Sequence, residues 1–537
     1  MHHWDREADV ICVGGGLAGC AAALAADDHG FDALLLEKDA RIGGKTAWSN
    51  GGIWIPENDL ARAAGIADSR DEARAYLRFL AAGHEVAANL DAYVDNGAET
   101  LRYFARLGVP FQLVRNLPDI YYGMAPGTKV EGWMVEVQLV SALALGAWRE
   151  KLHVSPYRQK RATFDEAVRW GGRGSDRQWD PNVEAARVAA DERALGEGAI
   201  AAFVKALLDR AVPIVLDAPA RELIVDDGRV TGLIARIDGR DQAIRARAGV
   251  VLASGGYESN PVLVRNYEEL PFRNQFPATL SGDALTMAAE IGAMVRAIPQ
   301  QLTIFLGYDV PAHDGKPASF RTAGTHELPF PHSIVVNRAG RRFGDESFFQ
   351  KLLGELRRFD VATHTYRNLP CFFVFSRGFA ERYAFGGAPA GVVPEFVARG
   401  ETPEELAVAL GIDPGGLGAE IARFNGFVAA GVDADFGRGE AMWSRYYSGD
   451  LTSATPNLGA LEPPFYAVQL HPTGMSSAGL LTNERGQVVS HRDRPIPGLY
   501  ASGDCAAYVD FGIGYQAGLS LGRNLIFSLA AVRDMRA

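Results

Sequence analysis

The stretch VICVGGGLAGCAAALAADDHGFDALLLEK, residues 10–38, decides the fold. The run from Asp9 to Val13 reads as a short buried strand. Gly14, Gly16 and Gly19 follow it with GxGxxG spacing. Leu17 to Ala26 is rich in helix-favouring alanine, and Ala33 to Leu36 is a second strand, closed by Glu37. In such a unit the first glycine permits a tight turn, the second lets a pyrophosphate approach the backbone, and the third packs helix on strand. The helix N-terminus, at Leu17 and Ala18, offers free N–H groups to phosphates. Glu37, with Lys38 beside it, lies 18 residues after Gly19, where an acid can accept hydrogen bonds from ribose hydroxyls. A glycine turn in an ordinary βαβ unit is the alternative. The two strands, the helix and the acid in register favour dinucleotide binding.

A second glycine cluster narrows the dinucleotide. ARIGGKTAWSNGGIWIPEN, residues 40–58, sets Gly43, Gly44, Gly51 and Gly52 around Lys45, Thr46 and Ser49. A nicotinamide unit has no need of these glycines. A flavin dinucleotide laid out in extended form does, because the backbone must run close beside the pyrophosphate and ring. At these residues the sequence resembles the fumarate reductase/succinate dehydrogenase flavoprotein family, and GGIWIPEN resembles its 3-ketosteroid dehydrogenase branch. Later motifs match in order: GVVLASGGYESN (249–260), GDALTMAAEIGA (282–293), SIVVNRAGRRF (333–343) and IPGLYASGDCAA (496–507). The resemblance covers most of the chain outside about 140–195.

It implies an α/β fold: a Rossmann-like FAD-binding domain carrying an inserted α+β substrate domain that caps the flavin. The expected division is 1–293 and 460–537 for the FAD-binding domain and 294–459 for the cap. It implies FAD contacts from Ala220, Ser254, Gly255, Gly256, Asp283, Gly503, Asp504, Ser520, Leu521 and Gly522 as well. The helix expected over 516–535 would aim its N-terminus at the flavin ring, where it stabilises negative charge on the reduced form. In succinate dehydrogenase a histidine stands where this chain has Lys45, so dissociable, non-covalent FAD is expected.

Composition sets outer limits. The chain has 537 residues, 47% of them hydrophobic and 22% charged, an ordinary globular mix. A net charge of −11 disfavours nucleic acid as a partner. The four cysteines form no CxxC pair, which suggests neither a disulfide framework nor a zinc site, and no metal is expected. The opening MHHWDREAD lacks an apolar signal core and no window is apolar enough for a membrane span, so a cytoplasmic protein is expected. Ser69-x-x-Glu72 signals a capped amphipathic helix. Two Asp-Gly pairs, at 227–228 and 238–239, predict an antiparallel meander over 221–247 that rejoins a parallel sheet at Val250. The polar cluster at 158–180 reads as a solvated loop.

A flavin carries the hydride chemistry, and the protein supplies orientation and electrostatics. Three features narrow the reaction. First, the arginines with which dicarboxylate-using members clamp carboxylates are replaced by Phe349 and Ser520, so fumarate and succinate are not expected substrates. Second, GYQAGLSLG (514–522) resembles the ketosteroid segment in which a tyrosine and a glycine hold the substrate ketone. Tyr515 and Gly518 take those places, three apart here rather than four. A phenol O–H and a backbone N–H aimed at one oxygen form an oxyanion hole, which makes the α-proton removable. Third, the family's base tyrosine is missing, since Phe348, Phe349 and Gln350 stand there. Tyr121, Tyr122 and the cap-domain Tyr308 are the candidates left, with Tyr122 favoured. The resemblance thus implies an FAD-dependent desaturase that converts a cyclic ketone, a 3-ketosteroid or an oxocyclohexane such as an oxocyclohexanecarboxylate, to its α,β-unsaturated form. An external acceptor or O2 would reoxidise the flavin. An ene-reductase running in reverse, or a flavoprotein that only carries electrons or scaffolds partners, are the alternatives.

Overall fold

The computed structural model describes residues 3–156, 161–170, 180–299, 304–312, 317–323 and 327–537. The opening stretch forms strand Arg6–Val13, helix Leu17–Asp28 and strand Ala33–Leu36. Val10 and Cys12 face one hydrophobic core, while Ile11 and Val13 face the other. Successive side chains of a strand point to opposite faces, so a sheet covered on both sides needs an unbroken apolar run.

That strand lies near the middle of an eight-stranded sheet. Along its main path the order is Gln487–Val489, Pro495–Ala501, Arg240–Leu252, Arg6–Val13, Ala33–Leu36 and Ile214–Val215. The four pairings from Pro495–Ala501 to Ile214–Val215 are parallel. Ala220–Asp226, Arg229–Ile237 and the start of Arg240–Leu252 form the expected meander. Its turns have positive φ at Asp227, Gly228, Asp238 and Gly239, as tight hairpin loops require. Val250 then pairs in parallel with both Ile11 and Leu499. Ser69 caps helix Arg70–Ala81 by accepting the Glu72 N–H.

A second sheet has six strands, ordered Ser319–Thr322, Ile304–Val310, Phe465–Gly474, Cys371–Ser376 and Ser333–Asn337, with Ala398–Gly400 also on Phe465–Gly474. Its pairings are antiparallel. This corrects the boundary expected at 460. Phe465–Gly474 is an inner strand of the second sheet, bonded on both edges, and the chain rejoins the first sheet only at Gln487. The apolar alternation of residues 465–474 fits either sheet; only partner strands distinguish them. Beneath this sheet Arg342, Glu346, Asp433 and Arg438 form a buried charge network, with contacts of 2.7 to 3.1 Å.

Between residues 140 and 195 the described chain forms a 3₁₀ segment and helices Phe164–Arg169 and Pro181–Ala189. The polar cluster at 158–180 lies partly outside the described residues. The described part corrects the solvated-loop reading, because Phe164 is buried and its helix has a full capping box at Thr163 and Glu166.

The last helix, Leu519–Arg536, packs on the first. Ser528 Oγ donates to the Ala18 carbonyl at 2.9 Å. Buried Arg523 pairs with Asp510 and donates to the carbonyls of Gly503, Ala506 and Ala507, which fastens the 503–510 loop to this helix. The turn under the first helix admits no side chain: a Cβ at Gly19 would sit 1.8 Å from the Gly14 carbonyl oxygen. Gly19→Ala is therefore expected to unfold well below the parent protein, at a cost on the order of 1–3 kcal/mol or more. Gly426→Ala, in a helix with open space at Cβ, is the control and should unfold at or slightly above it. Thermal unfolding of the two variants checks this; equal melting temperatures would contradict the close contact.

Candidate functional site

Two adjoining cavities lie between the sheets. The first, about 740 Å³ including space open to solvent, is a cleft at the carboxyl ends of the parallel strands, where ligands of open α/β sheets bind. Gly14, Gly15, Gly16, Leu17 and Ala18 line it from the first turn. Glu37 and Lys38 come from the end of the second strand, and Gly44, Lys45 and Thr46 from the second glycine cluster. Ala220, Ser254, Gly255, Asp283, Gly503 and Asp504 complete the expected set on its walls.

The second cavity, about 1560 Å³ including space open to solvent, continues from the first and shares Lys45, Thr46, Asp504 and Asn524 with it. Ser49, Gly51, Gly52, Ser520, Leu521, Tyr515 and Gly518 line this chamber.

Several expected residues stand behind the walls. Gly19, Gly43, Gly256 and Gly522 do not line either cavity. They allow close packing instead: a Cβ at Gly522 would meet the Tyr93 hydroxyl at 2.1 Å, and one at Gly256 would meet Ser476 Oγ at 2.3 Å. Tyr121 packs by edge contacts on Tyr76, Phe79 and Phe348. Neither it nor half-buried Tyr122 lines the chamber, which corrects the preference for Tyr122. Tyr308 is fully buried, stacked on Phe385 at 4.7 Å. Its O–H donates to Glu327 Oε1 at 3.1 Å and its oxygen accepts the Gly386 N–H at 3.3 Å. Glu327, not Tyr308, reaches the chamber wall.

The sequence reading missed Trp48, Phe276, Phe305, Arg321, Glu327 and Met475 on that wall. Trp48 lies inside a recognised motif, and its neighbours could have indicated it. Arg321 and Glu327 carry no local signal, because the fold of the second sheet alone brings them to the cavity.

The electrostatics centre on Lys45. Its ammonium sits 2.6 Å from both Glu258 Oε1 and Asp504 Oδ2, and 4.7 Å from the centre of the Phe276 ring. Burial works against its charge, but the two carboxylates outweigh that and hold it protonated. Burial likewise pushes Asp504 up, yet Lys45, with hydrogen bonds from Tyr508 and Ser520, leaves its carboxyl below the usual range. In the cleft, Glu37 accepts the Gly15 N–H at 2.6 Å and the Asp39 N–H at 2.9 Å. Burial raises its pKa, and these hydrogen bonds oppose the rise.

The donor set fits a flavin dinucleotide. The N-cap Gly16 has no side chain to cap the first helix; Leu17 N–H donates to Thr46 Oγ1 at 3.3 Å, and the next N–H, of Ala18 on the cleft wall, is placed to meet an anion. A Cβ at Gly16 would meet nothing nearer than Thr46 Oγ1 at 3.8 Å, so the space beyond it belongs to the cleft. Buried Asn524 Oδ1, where the cavities join, has no hydrogen-bond partner among the described residues.

A phosphate-binding turn, a second glycine cluster and an adjoining capped chamber define a flavoprotein of the oxidoreductase type. A family model described as an FAD binding domain matches residues 9–519, and the chain belongs to that family. It is 31% identical to a 3-oxosteroid 1-dehydrogenase of Mycolicibacterium smegmatis over 99% of this chain and 98% of that protein. It is 32% identical to a 4-oxocyclohexanecarboxylate 2-dehydrogenase of Sinomonas cyclohexanicum, over 98% and 92%. Among solved structures, 3-ketosteroid delta1-dehydrogenase from Sterolibacterium denitrificans, in complex with 1,4-androstadiene-3,17-dione, matches with a TM-score of 0.90 and 28% identity over 99% of both chains. Among the described residues no helix is long and apolar enough to cross a membrane, and no acid, histidine or cysteine cluster could hold a metal.

Gly16→Val should give folded, colourless protein, because its side chain would enter the cleft where the pyrophosphate approaches. Visible absorbance against circular dichroism tests this. Full flavin content in the variant would remove Gly16 from the cofactor site.

Proposed function

We propose that this protein is an FAD-dependent dehydrogenase that introduces an α,β double bond into a cyclic ketone. The observation that carries the reading is the chamber itself, which joins the dinucleotide cleft and presents Tyr515 and Gly518 at the start of the last helix. The ketone dehydrogenases to which the chain is similar along its length support the same chemistry.

The cleft from Gly14 to Ala18, with Glu37, Lys45 and Thr46, would hold FAD, which would supply an acceptor for the β-hydrogen as hydride. The chain's own residues do the rest. Tyr515 O–H and Gly518 N–H donate to the ketone oxygen and stabilise the negative charge that develops there. Gly518 is held in this place, since its carbonyl accepts the Trp54 N–H at 3.0 Å. A Cβ there would meet the Trp54 nitrogen at 2.7 Å, at a φ of +89°. Glu327 receives the α-proton, and Tyr308 behind it is a positioning residue. Burial pushes the Glu327 carboxyl up to about 7, against the hydrogen bond from Tyr308 and the charge of Arg321. A base poised there is well matched to neutral pH. The apolar floor under Tyr515 suits a ring: Phe305 and Phe349 meet its ring at 5.7 and 6.0 Å. Phe349 and Ser520 stand where dicarboxylate-using members keep arginines, and Ser520 Oγ is engaged with Asp504. FAD is non-covalent in this reading, because a protonated Lys45 has no lone pair with which to attack the flavin. The buried, unpaired cysteines accord with a cytoplasmic location, and the flavin is reoxidised by an external electron acceptor or O2.

Anaerobic mixing with cyclic ketones should bleach the oxidised flavin band. Tyr515→Phe should keep its FAD and lower the bleaching rate roughly 10²-fold or more, the effect of losing one oxyanion donor. An unchanged rate would remove Tyr515 from the site. Tyr308→Phe should slow α-proton exchange in D₂O more than Tyr121→Phe or Tyr122→Phe. Equal exchange in all three variants would rule out the Tyr308–Glu327 pair as the proton acceptor.

A further inference from the structure

We propose that Arg321 is the anion anchor of the chamber, and that the ketone this protein takes is a single ring bearing a carboxylate. This rests on the cyclic-ketone reading and narrows its substrate.

The charged groups on the chamber wall are Lys45, Asp504, Glu327 and Arg321. Lys45 and Asp504 satisfy each other together with Glu258. Glu327 directs Oε1 at the Tyr308 hydroxyl. Arg321, half-buried on the edge strand Ser319–Thr322, is different. Among the described residues its guanidinium has no hydrogen-bond acceptor and no carboxylate within ion-pair distance. Elsewhere the chamber wall is largely apolar, with Trp48, Phe164, Phe276, Phe305 and Met475. The Arg321 charge is felt by the Glu327 carboxyl, but among the described residues no hydrogen bond answers the guanidinium, and a half-buried donor fork favours a partner. A ligand carboxylate would meet it with two parallel charge-assisted hydrogen bonds. A neutral multi-ring ketone would shield the charge from water and give nothing in return.

Arg321 stands opposite Tyr308 on strand Ile304–Val310 and shares that residue's face of the sheet, while Phe305, an odd number of residues away, points to the other face and touches the Tyr515 ring edge-on at 5.7 Å. Arg321 reaches the chamber wall from the edge strand and Tyr515 from the loop before the last helix, so a ring whose ketone rests on Tyr515 can turn a carboxylate at its other end toward Arg321. The guanidinium has room to turn, since Gly387 lies beside it: a Cβ there would be 3.6 Å from Nη2.

The test uses the FAD-loaded protein with its flavin chemically reduced, under anaerobic conditions so that no ketone can be dehydrogenated, and equilibrium titration calorimetry with 4-oxocyclohexanecarboxylate, its methyl ester and 4-androstene-3,17-dione. The acid should bind about 10- to 100-fold more tightly than the ester, the range of a charged hydrogen-bonded contact. Arg321→Gln should collapse that ratio to near one while flavin content stays at the parent level. Arg321→Lys should recover part of it, and in turnover Arg321→Gln should raise KM for the acid far more than it lowers kcat. The proposal is overturned if acid and ester bind alike in the parent protein, if the ratio survives Arg321→Gln, or if the steroid binds more tightly than the acid. Binding is read without turnover, so a failure of the dehydrogenase reading, seen as a flavin that no ketone bleaches, is distinguishable from a failure of the anchor. If Arg321→Gln does not fold, the parent acid-to-ester ratio and Arg321→Lys decide.

Discussion

The Lys45 ammonium, bridging Glu258 and Asp504, is the constraint on which the site depends. Its three members come from distant segments: the second glycine cluster, the turn after the long central strand and the loop before the last helix. A buried charge without partners is prohibitively expensive, so the three segments must converge wherever Lys45 is buried. Their meeting point is where cleft and chamber join. Arg523 repeats the device one layer deeper, with Asp510 and three loop carbonyls.

The second sheet makes a chamber out of what would otherwise be an open cleft. Its inner strand Phe465–Gly474 runs directly into Met475 on the chamber wall. The neighbouring strand brings Phe305 against Tyr515. The proposed anion anchor sits on the edge strand Ser319–Thr322, and the proposed proton acceptor on a turn beyond it, tied back to the neighbouring strand by the Tyr308 hydroxyl.

The candidate bases show how a segment that resembles a family's can pack differently. Tyr121 and Tyr122 sit in a segment that looks right, yet the pocket of Tyr76, Phe79 and Phe348 takes up the Tyr121 ring. Tyr308, the cap-domain candidate, stacks on Phe385 and reaches the chamber only through Glu327, to which its hydroxyl donates. Glu327 had no motif around it, and its environment raises its pKa only because the second sheet buries it.

The sequence by itself determined the dinucleotide cleft. Its determinants are local: three glycines, a helix start and an acid at fixed spacing, all within one βαβ unit whose geometry is the same wherever it occurs. The meander and the capped helix at Ser69 were legible for the same reason, since Asp-Gly turns and N-caps act over a few residues. Tertiary structure alone decided where the chain leaves the second sheet, because an alternating strand fits any partner with the right face. It also decided which side chains line the chamber. Arg321 and Glu327 line one chamber with Tyr515, nearly two hundred residues further on, only because the second sheet is folded over the cleft, and that packing has no sequence period to read.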